Sequence, residues 1–499
     1  MDHNRISVDI AAENQTITEE TLKQFFQGSA DVMLHRFNAG GSGEEEQPVV
    51  LVFSEGMIDS KQLNQLVLPR LAAICRDHPR ITDIEIGENS HLPLSLMQVD
   101  SLRDIAYEVY SGDLIIFFEK LQSCYSLDIA NPPARSPGEP LTESSIKGPR
   151  DGFTEELTTN MALLRKRLRT HSLHIEQFIK GQRGETRLAL LYIEDIINSD
   201  IKEEIRKRLN GINTDAIIGT SFIEAIISGK KGHAMFPLTD YTGRPDYVAD
   251  CLLSGKFAVM VDGSPMAIIA PVTLMNQLIS PEDANTAYFI VSLQKVLRII
   301  GLLISFFLPG FYIALTTFNL EQIPLPLLAT ISNSRQGLPF PIPLETFIML
   351  FLFEIFNEAG RRLPKALGQT VTVVGGLIIG DAAIRAGITS PTIIVSVAIT
   401  IVAASTLVNQ TLSGTASQLR LLVLVLSSLL GMFGFMIGVF GVLLYISSLE
   451  TYGVPYLSPI SPFYKQDFLV SVMKKPADSE VLRPRFLRTK DNKGRGNHS

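Results

Sequence analysis

The sequence predicts a two-part fold: an N-terminal cytoplasmic α/β region of two related subdomains, then an all-α polytopic membrane domain. Three observations lead there. The 499 residues, of which 19% are charged, have a mean hydropathy of +0.21, and that average hides a division between a mixed first part and an overwhelmingly apolar stretch from Ile299 to Ser448. A strand–helix pattern in the first part recurs at an offset of roughly 140 residues. Ionisable side chains stand inside the apolar runs of the second part, where each costs about 2.5–3.5 kcal/mol at membrane depth.

Composition excludes several classes. The start, MDHNRISVDIAAENQT, has no apolar core of signal-peptide length, so the first part is expected to stay in the cytoplasm. Cys75, Cys124 and Cys251 are odd in number and lack CxxC spacing, which argues against a disulfide framework or a zinc site. A net charge of −7 gives no reason to expect nucleic acid. Phosphate-loop, dinucleotide, HExxH and GxSxG motifs are all missing, so the chain is read as non-enzymatic and without cofactor or metal. His171 and His174 could share a face, but no carboxylate or cysteine accompanies them as a ligand set.

The first part reads as strands at Val32–Phe37 and Val49–Phe53 joined by NAGGSGEEEQ, then a helix with Ser60 as its expected cap. A second helix, Leu102–Tyr110, passes through Ser111 and Gly112 into the strand LIIFFE and then CYSLDIA. The order recurs: RLALLYI and EDIINSDIKEEIRKRL match the first strand–helix pair, with Glu194 against Glu55 and Ser199 against Ser60. DYVADCLLSGKFAVMVDGSPMAIIAP matches the second, with Ser254 and Gly255 against Ser111 and Gly112. Two matches in one order read as two related subdomains. Between them, ANPPARSPGEPLTESSIKGPRDGFTEELTTN is too rich in proline, glycine and serine for regular structure. The run Arg165, Lys166, Arg167 and Arg169 after it is expected as a solvated helix face, or as a surface for anionic lipid or an acidic partner.

The second part holds five apolar segments: Ile299–Phe318, Leu344–Phe356, Val371–Ile388, Pro391–Val408 and Leu419–Ile446. The first is long enough to cross a hydrocarbon core of about 30 Å. Positive charge favours the cytoplasmic side, which places there Lys295 and Arg298, the turn Arg361, Arg362 and Lys365, and a tail with Lys465, Lys474, Lys475, Arg483, Arg485, Arg488 and Lys490. Both ends inside require an even number of crossings. Val371–Ile388, the least hydrophobic segment and rich in glycine, is therefore expected not to span, giving four crossings plus one re-entrant or broken helix. The resulting boundaries are 1–130 and 153–290 for the subdomains, 131–152 for the connector, 291–450 for the membrane domain and 451–499 for a basic tail.

The pore or gate candidates are Glu345, Glu354, Glu358, Gly375, Gly376, Gly380, Asp381 and Arg385. The three glycines form a small-residue face that lets helices approach. Asp381 with Arg385, and Glu358 with Arg362, have the spacing of helical ion pairs. From the residues alone, these charges either staple a bundle or line an aqueous path in an oligomer.

NPPARSPGEPLTESSIKGPRDGFTEELTTNMALLRKRL, RPDYVADCLLSGKFAVMVDGSPMAIIAP, LPGFYIAL and FEIFNEAGRRLPKALGQTVTVVGGLIIGDAAIRAGITSP together resemble the A subunit of GerA-type spore germinant receptors of endospore-forming bacteria. The resemblance runs from about Pro132 to the end of the membrane part and is fainter before it. It places a connector motif on Pro132, Pro133, Arg135, Ser136, Glu139 and Pro140 and the family's arginine-proline-aspartate motif on Arg244, Pro245 and Asp246, preceded by Gly243 where the family is usually acidic. It implies a multi-pass subunit of a nutrient receptor in the inner spore membrane. Its expected partners are a membrane B subunit, through which nutrients are mainly sensed, a lipoprotein C subunit, further copies of itself, and lipid. The implied activity is a nutrient-gated channel releasing monovalent cations. The residues leave two alternatives open, a secondary transporter with Asp381 at its midplane site and a non-conducting assembly scaffold.

Overall fold

A computed structural model describes residues 17–39, 47–77, 96–133, 147–229, 234–362, 380–474 and 482–491. The chain divides into two compact units, one of Met1–His233, Thr239–Pro271 and Glu480–Ser499, the other of Ala234–Leu238 and Val272–Ser479.

The first unit contains two five-stranded antiparallel sheets built on one plan. Helix α1 (Glu19–Phe25), β1 (Val32–Ala39), β2 (Gln47–Ser54), α2 (Leu68–Asp77), β3 (Met97–Val99), α3 (Leu102–Ser111), β4 (Leu114–Phe118) and β5 (Ser123–Leu127) form the first subdomain. The second contains α4 (Leu157–Arg167), β6 (Leu173–Lys180), β7 (Thr186–Ile193), α5 (Ser199–Asn210), α6 (Thr220–Ser228), β8 (Asp240–Thr242), α7 (Pro245–Leu253), β9 (Phe257–Val261) and β10 (Ala267–Ala270). The strand orders are β1-β2-β4-β5-β3 and β6-β7-β9-β10-β8. In each sheet the short third strand of the copy pairs last, beyond its fifth.

Why the central strands are apolar throughout follows from their surroundings. Along β2, Val49, Leu51 and Phe53 pack with Leu63, Val67 and Leu71, while Val50 and Val52 pack with Leu22, Ile105 and Val109. Both sheet faces are covered, so alternation gives way to continuous runs; all five residues of β4 and of β9 are buried. Each such side chain contributes about 1.5–3 kcal/mol. Gly112 and Gly255 end α3 and α7 at φ +108° and +98°, a left-handed turn that glycine adopts without a Cβ penalty. The expected cap at Ser60 is corrected: Asp59 accepts from the Lys61 and Gln62 amides, and Asn198 does the same for α5. A carboxylate or amide one residue earlier reaches the free amides, leaving the serine as the first helical residue.

The second unit is helical. It comprises α8 (Leu274–Gln277), α9 (Tyr288–Ile313, extended by a π-turn Ala314–Phe318), α10 (Leu325–Ser334), α11 (Ile342–Arg362), α12 (Pro391–Ser405), α13 (Gln410–Ser448), the two-residue strands β11 (Glu450–Thr451) and β12 (Val454–Pro455), and α14 (Lys465–Val472). Among the described residues, Tyr288–Phe318 and Gln410–Ser448 are long and apolar enough to cross a membrane. Helix α10 lies in the proline-rich stretch between the first two apolar segments.

Helix α13 is not one straight rod. Gly431 leaves helical geometry at φ 60°, ψ −136°. A Cβ on Gly438 would sit 3.2 Å from Val423 Cγ2, whereas fifteen helical residues would separate the two positions by about 22 Å. The helix reverses at Gly431 into two antiparallel legs. At this turn the ring of Phe318, from the end of α9, sits 2.7 Å from where a Gly431 Cβ would be. The last apolar segment is thus folded back on itself and is not a single straight helix.

Two expected boundaries shift. The helical unit begins at Val272 and runs on to Ser479, because the residues after 450 are tied into it: the Lys474 ammonium donates to the Asp283, Ala284 and Thr286 carbonyls, and the buried Lys295 donates to the Val470 carbonyl. Arg298 binds Asp283 through two bonds, at 2.6 and 3.0 Å. The expected basic tail is also not uniform, since residues 482–491 belong to the α/β unit.

Candidate functional site

The charges that the sequence placed in apolar runs separate into three kinds. Glu345, in the first turn of α11, is fully buried. One carboxylate oxygen accepts from Arg335 at 3.0 Å and the other from the Ser390 amide at 3.2 Å. Ser390 caps α12 through its side chain, so Glu345 sits at a helix N-terminus, where unpaired amides and the helix dipole favour an anion. Arg335 is held in turn by the Phe340 carbonyl. Both oxygens of this acid are used to fix helices, which makes Glu345 a staple.

Glu354 is different. It accepts from Arg420 of α13 at 3.3 Å. Arg420 is buried, with only 5% of its side chain exposed, but Glu354 keeps 40%. Arg420 also donates to Ser417 Oγ, at 3.1 Å, and its Nε is buried without a hydrogen-bond partner among the described residues. Glu358, one turn beyond Glu354, is exposed. With Phe347, Phe351 and Ile355, also exposed, these acids make one outward stripe at helical spacing along α11.

Asp381 and Arg385 form their i,i+4 pair at 2.9 Å, on the outside, with exposures of 57% and 79%. Gly380 is buried, and a Cβ there would make ordinary contact with Ile394 at 3.8 Å. Gly375, Gly376 and Lys365 lie outside the described residues; Arg361 and Arg362 end α11, and nothing is described of their side chains. Among the described residues, close approaches are made by further glycines. A Cβ on Gly301 would fall 2.2 Å from Thr406 Oγ1, and one on Gly310 2.8 Å from Val423 Cγ1.

Of the Val371–Ile388 stretch, only the end from Gly380 on lies within the described residues. Ala383 packs with Ile342 and Met349, Gly387 approaches Leu338 at 4.0 Å, and Ser390 holds Glu345. Arg385 therefore lies by the first half of α11. Arg361 stands at the other end, sixteen residues past Glu345, or about 24 Å along the axis.

In the α/β unit, Arg244 N-caps α7 with Pro245 in its first turn. The almost wholly buried Arg244 side chain grips Asp246 through Nε at 3.1 Å and Nη2 at 2.6 Å. This motif thus locks a helix start. Gly243 contributes its carbonyl to the Phe153 amide. Pro132 and Pro133 are in irregular chain, and Arg135, Ser136, Glu139 and Pro140 lie outside the described residues.

The run at Arg165–Arg169 is not a solvated face throughout. Arg165 has no exposure; its Nε and Nη2 donate to Asp31 of the first subdomain at 2.9 and 2.8 Å, and Nη1 donates to the Thr170 and Leu173 carbonyls. Its guanidinium lies over the Tyr110 ring at 4.0 Å. Arg167 pairs with Asp151. Close by, His171 stacks on Phe25, and burial, with His174 and Arg165 near, pushes its pKa down from 6.5 to about 4. Arg335, Arg420 and the Asp31–Arg165 pair were not singled out from the sequence. Arg420 carries the same signal as the acids, a lone charge in LRLLVLVL.

An α/β region of two matched sheets followed by a helical unit with long apolar helices and internal ion pairs defines a two-part protein. The sequence matches the Bacillus/Clostridium GerA spore germination protein family over residues 20–486, and the chain belongs to that family. Spore germination protein XA of Bacillus anthracis is 40% identical over 480 residues, 95% of this chain and 96% of the relative. The uncharacterized membrane protein YfkQ of Bacillus subtilis (strain 168) is 32% identical over 466 residues, covering 93% and 90%. The crystal structure of the N-terminal domain of the A subunit of the Bacillus megaterium spore germinant receptor GerK3 aligns with a TM-score of 0.38 at 25% identity, over 52% of this chain and 95% of that one.

Proposed function

We propose that this chain is the A subunit of a nutrient-sensing germinant receptor in the inner spore membrane. In this reading it assembles with copies of itself into a non-enzymatic, nutrient-gated path for monovalent cations. A membrane B subunit senses the nutrient and a lipoprotein C subunit completes the receptor. The observation that carries the reading is the outward stripe of α11. Carboxylates facing lipid at membrane depth are costly, so an outward stripe that carries Glu354 and Glu358 is better placed against water or protein than against lipid. A second copy placed against the Phe347–Phe351 face would provide the protein surface, with the acids left to line a cation path. Glu345 drops out of that lining because both its oxygens are used.

The test is conductance of receptor complexes reconstituted in vesicles. Glu354→Gln and Glu358→Gln should each lower nutrient-triggered cation flux about tenfold while the complex still assembles, a change worth about 1.4 kcal/mol. Unchanged flux in assembled variants would sink the pore reading and leave a scaffold; uptake of labelled nutrient by the chain alone would favour a transporter.

The same reading fixes a topology: an even number of crossings, with both legs of α13 counted and Arg361 and Arg385 on opposite faces. Single cysteines at these two positions, labelled from each side, should react from different sides. Labelling from one side for both would restore the re-entrant arrangement.

A further inference from the structure

The two subdomains differ at one place. In the first, the chain runs on past β5 and crosses back over the start of the helix layer: the Asn131 amide donates to the Met57 carbonyl at 2.8 Å and the Asp59 amide to Ile129 at 2.9 Å. Ala130 there covers Gly112, 3.0 Å from where its Cβ would be. In the second, the chain cannot run on. After β10 it leaves at Pro271 for the helical unit, and Thr273 already caps α8.

The vacated position is filled from far away in sequence. The Lys490 amide donates to the Ile196 carbonyl at 3.0 Å, and Ile196 corresponds to Met57 at the repeat offset of β7 on β2. Thr489 covers Gly255 as Ala130 covers Gly112. The seating is specific. Lys490 Nζ donates to the Glu194 side chain and carbonyl, both at 3.1 Å. Arg483 donates to the Leu253 carbonyl at 2.8 Å and pairs with Asp491, while Leu487 and Phe486 are buried. Main-chain pairing supplies affinity and the anchoring side chains supply selectivity, as in other strand-type peptide sites.

We propose that the second subdomain carries a peptide-accepting slot, walled by Ile196, Gly255, Glu194 and Leu253, and that Leu482–Asp491 of the same chain is its ligand. The segment completes the second subdomain as residues 129–131 complete the first. It stands independently of the receptor reading.

The test uses the full chain in detergent and hydrogen exchange. The Lys490 amide should exchange about 100-fold more slowly than in a free peptide. Thr489→Trp, too large to sit over Gly255, should abolish that protection while the Val259 amide of β9 stays protected. Free-peptide exchange at Lys490 in the unaltered chain, or undiminished protection in Thr489→Trp, would overturn the proposal. As a second measurement, a labelled peptide spanning residues 480–499 should bind a chain ended after residue 479 and be displaced by excess unlabelled peptide but not by its Thr489→Trp form. Equal displacement by both would also overturn it.

Discussion

Each unit buries an arginine against a carboxylate, and the two pairs differ in what surrounds them. Arg165 in the α/β unit is enclosed: two bonds to Asp31, two backbone carbonyls and an aromatic face account for the guanidinium. Arg420 in the helical unit has a long contact to a half-exposed Glu354 and an Nε without a partner among the described residues. A closed pair makes two subdomains one body. An open pair leaves capacity for another surface, which is why the second, and not the first, is the place to look for a gate.

The difference can be broken from the closed side. Asp31→Ala strands a fully buried guanidinium, and removal of one partner of such a pair costs about 3–5 kcal/mol. Hydrogen exchange in the full chain should show β7 and β9 opening together with β2 and β4 at correspondingly lower free energy. Glu354→Gln, the variant already used for flux, should cost less by the same measurement, because the half-exposed glutamine can still accept from Arg420 and only the charge is lost. Equal losses for both variants would erase the contrast.

The residues show unevenly how much of this could be read in advance. The repeat was legible because its punctuation is physical: Ser-Gly before an apolar strand marks a left-handed helix end, and Gly112 and Gly255 both occupy it. Glu345 and Glu354 were legible as charges in apolar runs. Their partners were not, since Arg420 is 66 positions from Glu354 and Arg165 is 134 from Asp31, and no local period links residues so far apart. The reversal at Gly431 was hidden by composition, because GMFGFMIGVFG is equally apolar whether straight or folded. The seating of Thr489 and Lys490 in the second subdomain left no trace, as the repeat is completed there by a discontinuous piece of chain.

The smallest expected effect tests the enclosure around Arg165 by proton. His171 lies at the subdomain junction with Phe25 stacked on it at 4.1 Å and His174 at 6.1 Å, and its Nδ1 is buried without a hydrogen bond among the described residues. An unfolded chain takes up this proton near pH 6.5, whereas the folded one resists it until about 4. Between those values the unfolded state binds more protons, so stability falls as pH falls through the window and is level above it. His171→Phe keeps the stack and deletes the titration. It should leave unfolding near pH 7.5 within about 0.5 kcal/mol of the parent and flatten the decline toward pH 5, compared by thermal unfolding of the full chain at both values. A decline of the same size in the variant would assign the acid sensitivity to another group, with His174, which burial also holds below its ordinary value, next in line because it packs against Gly28 on the same junction.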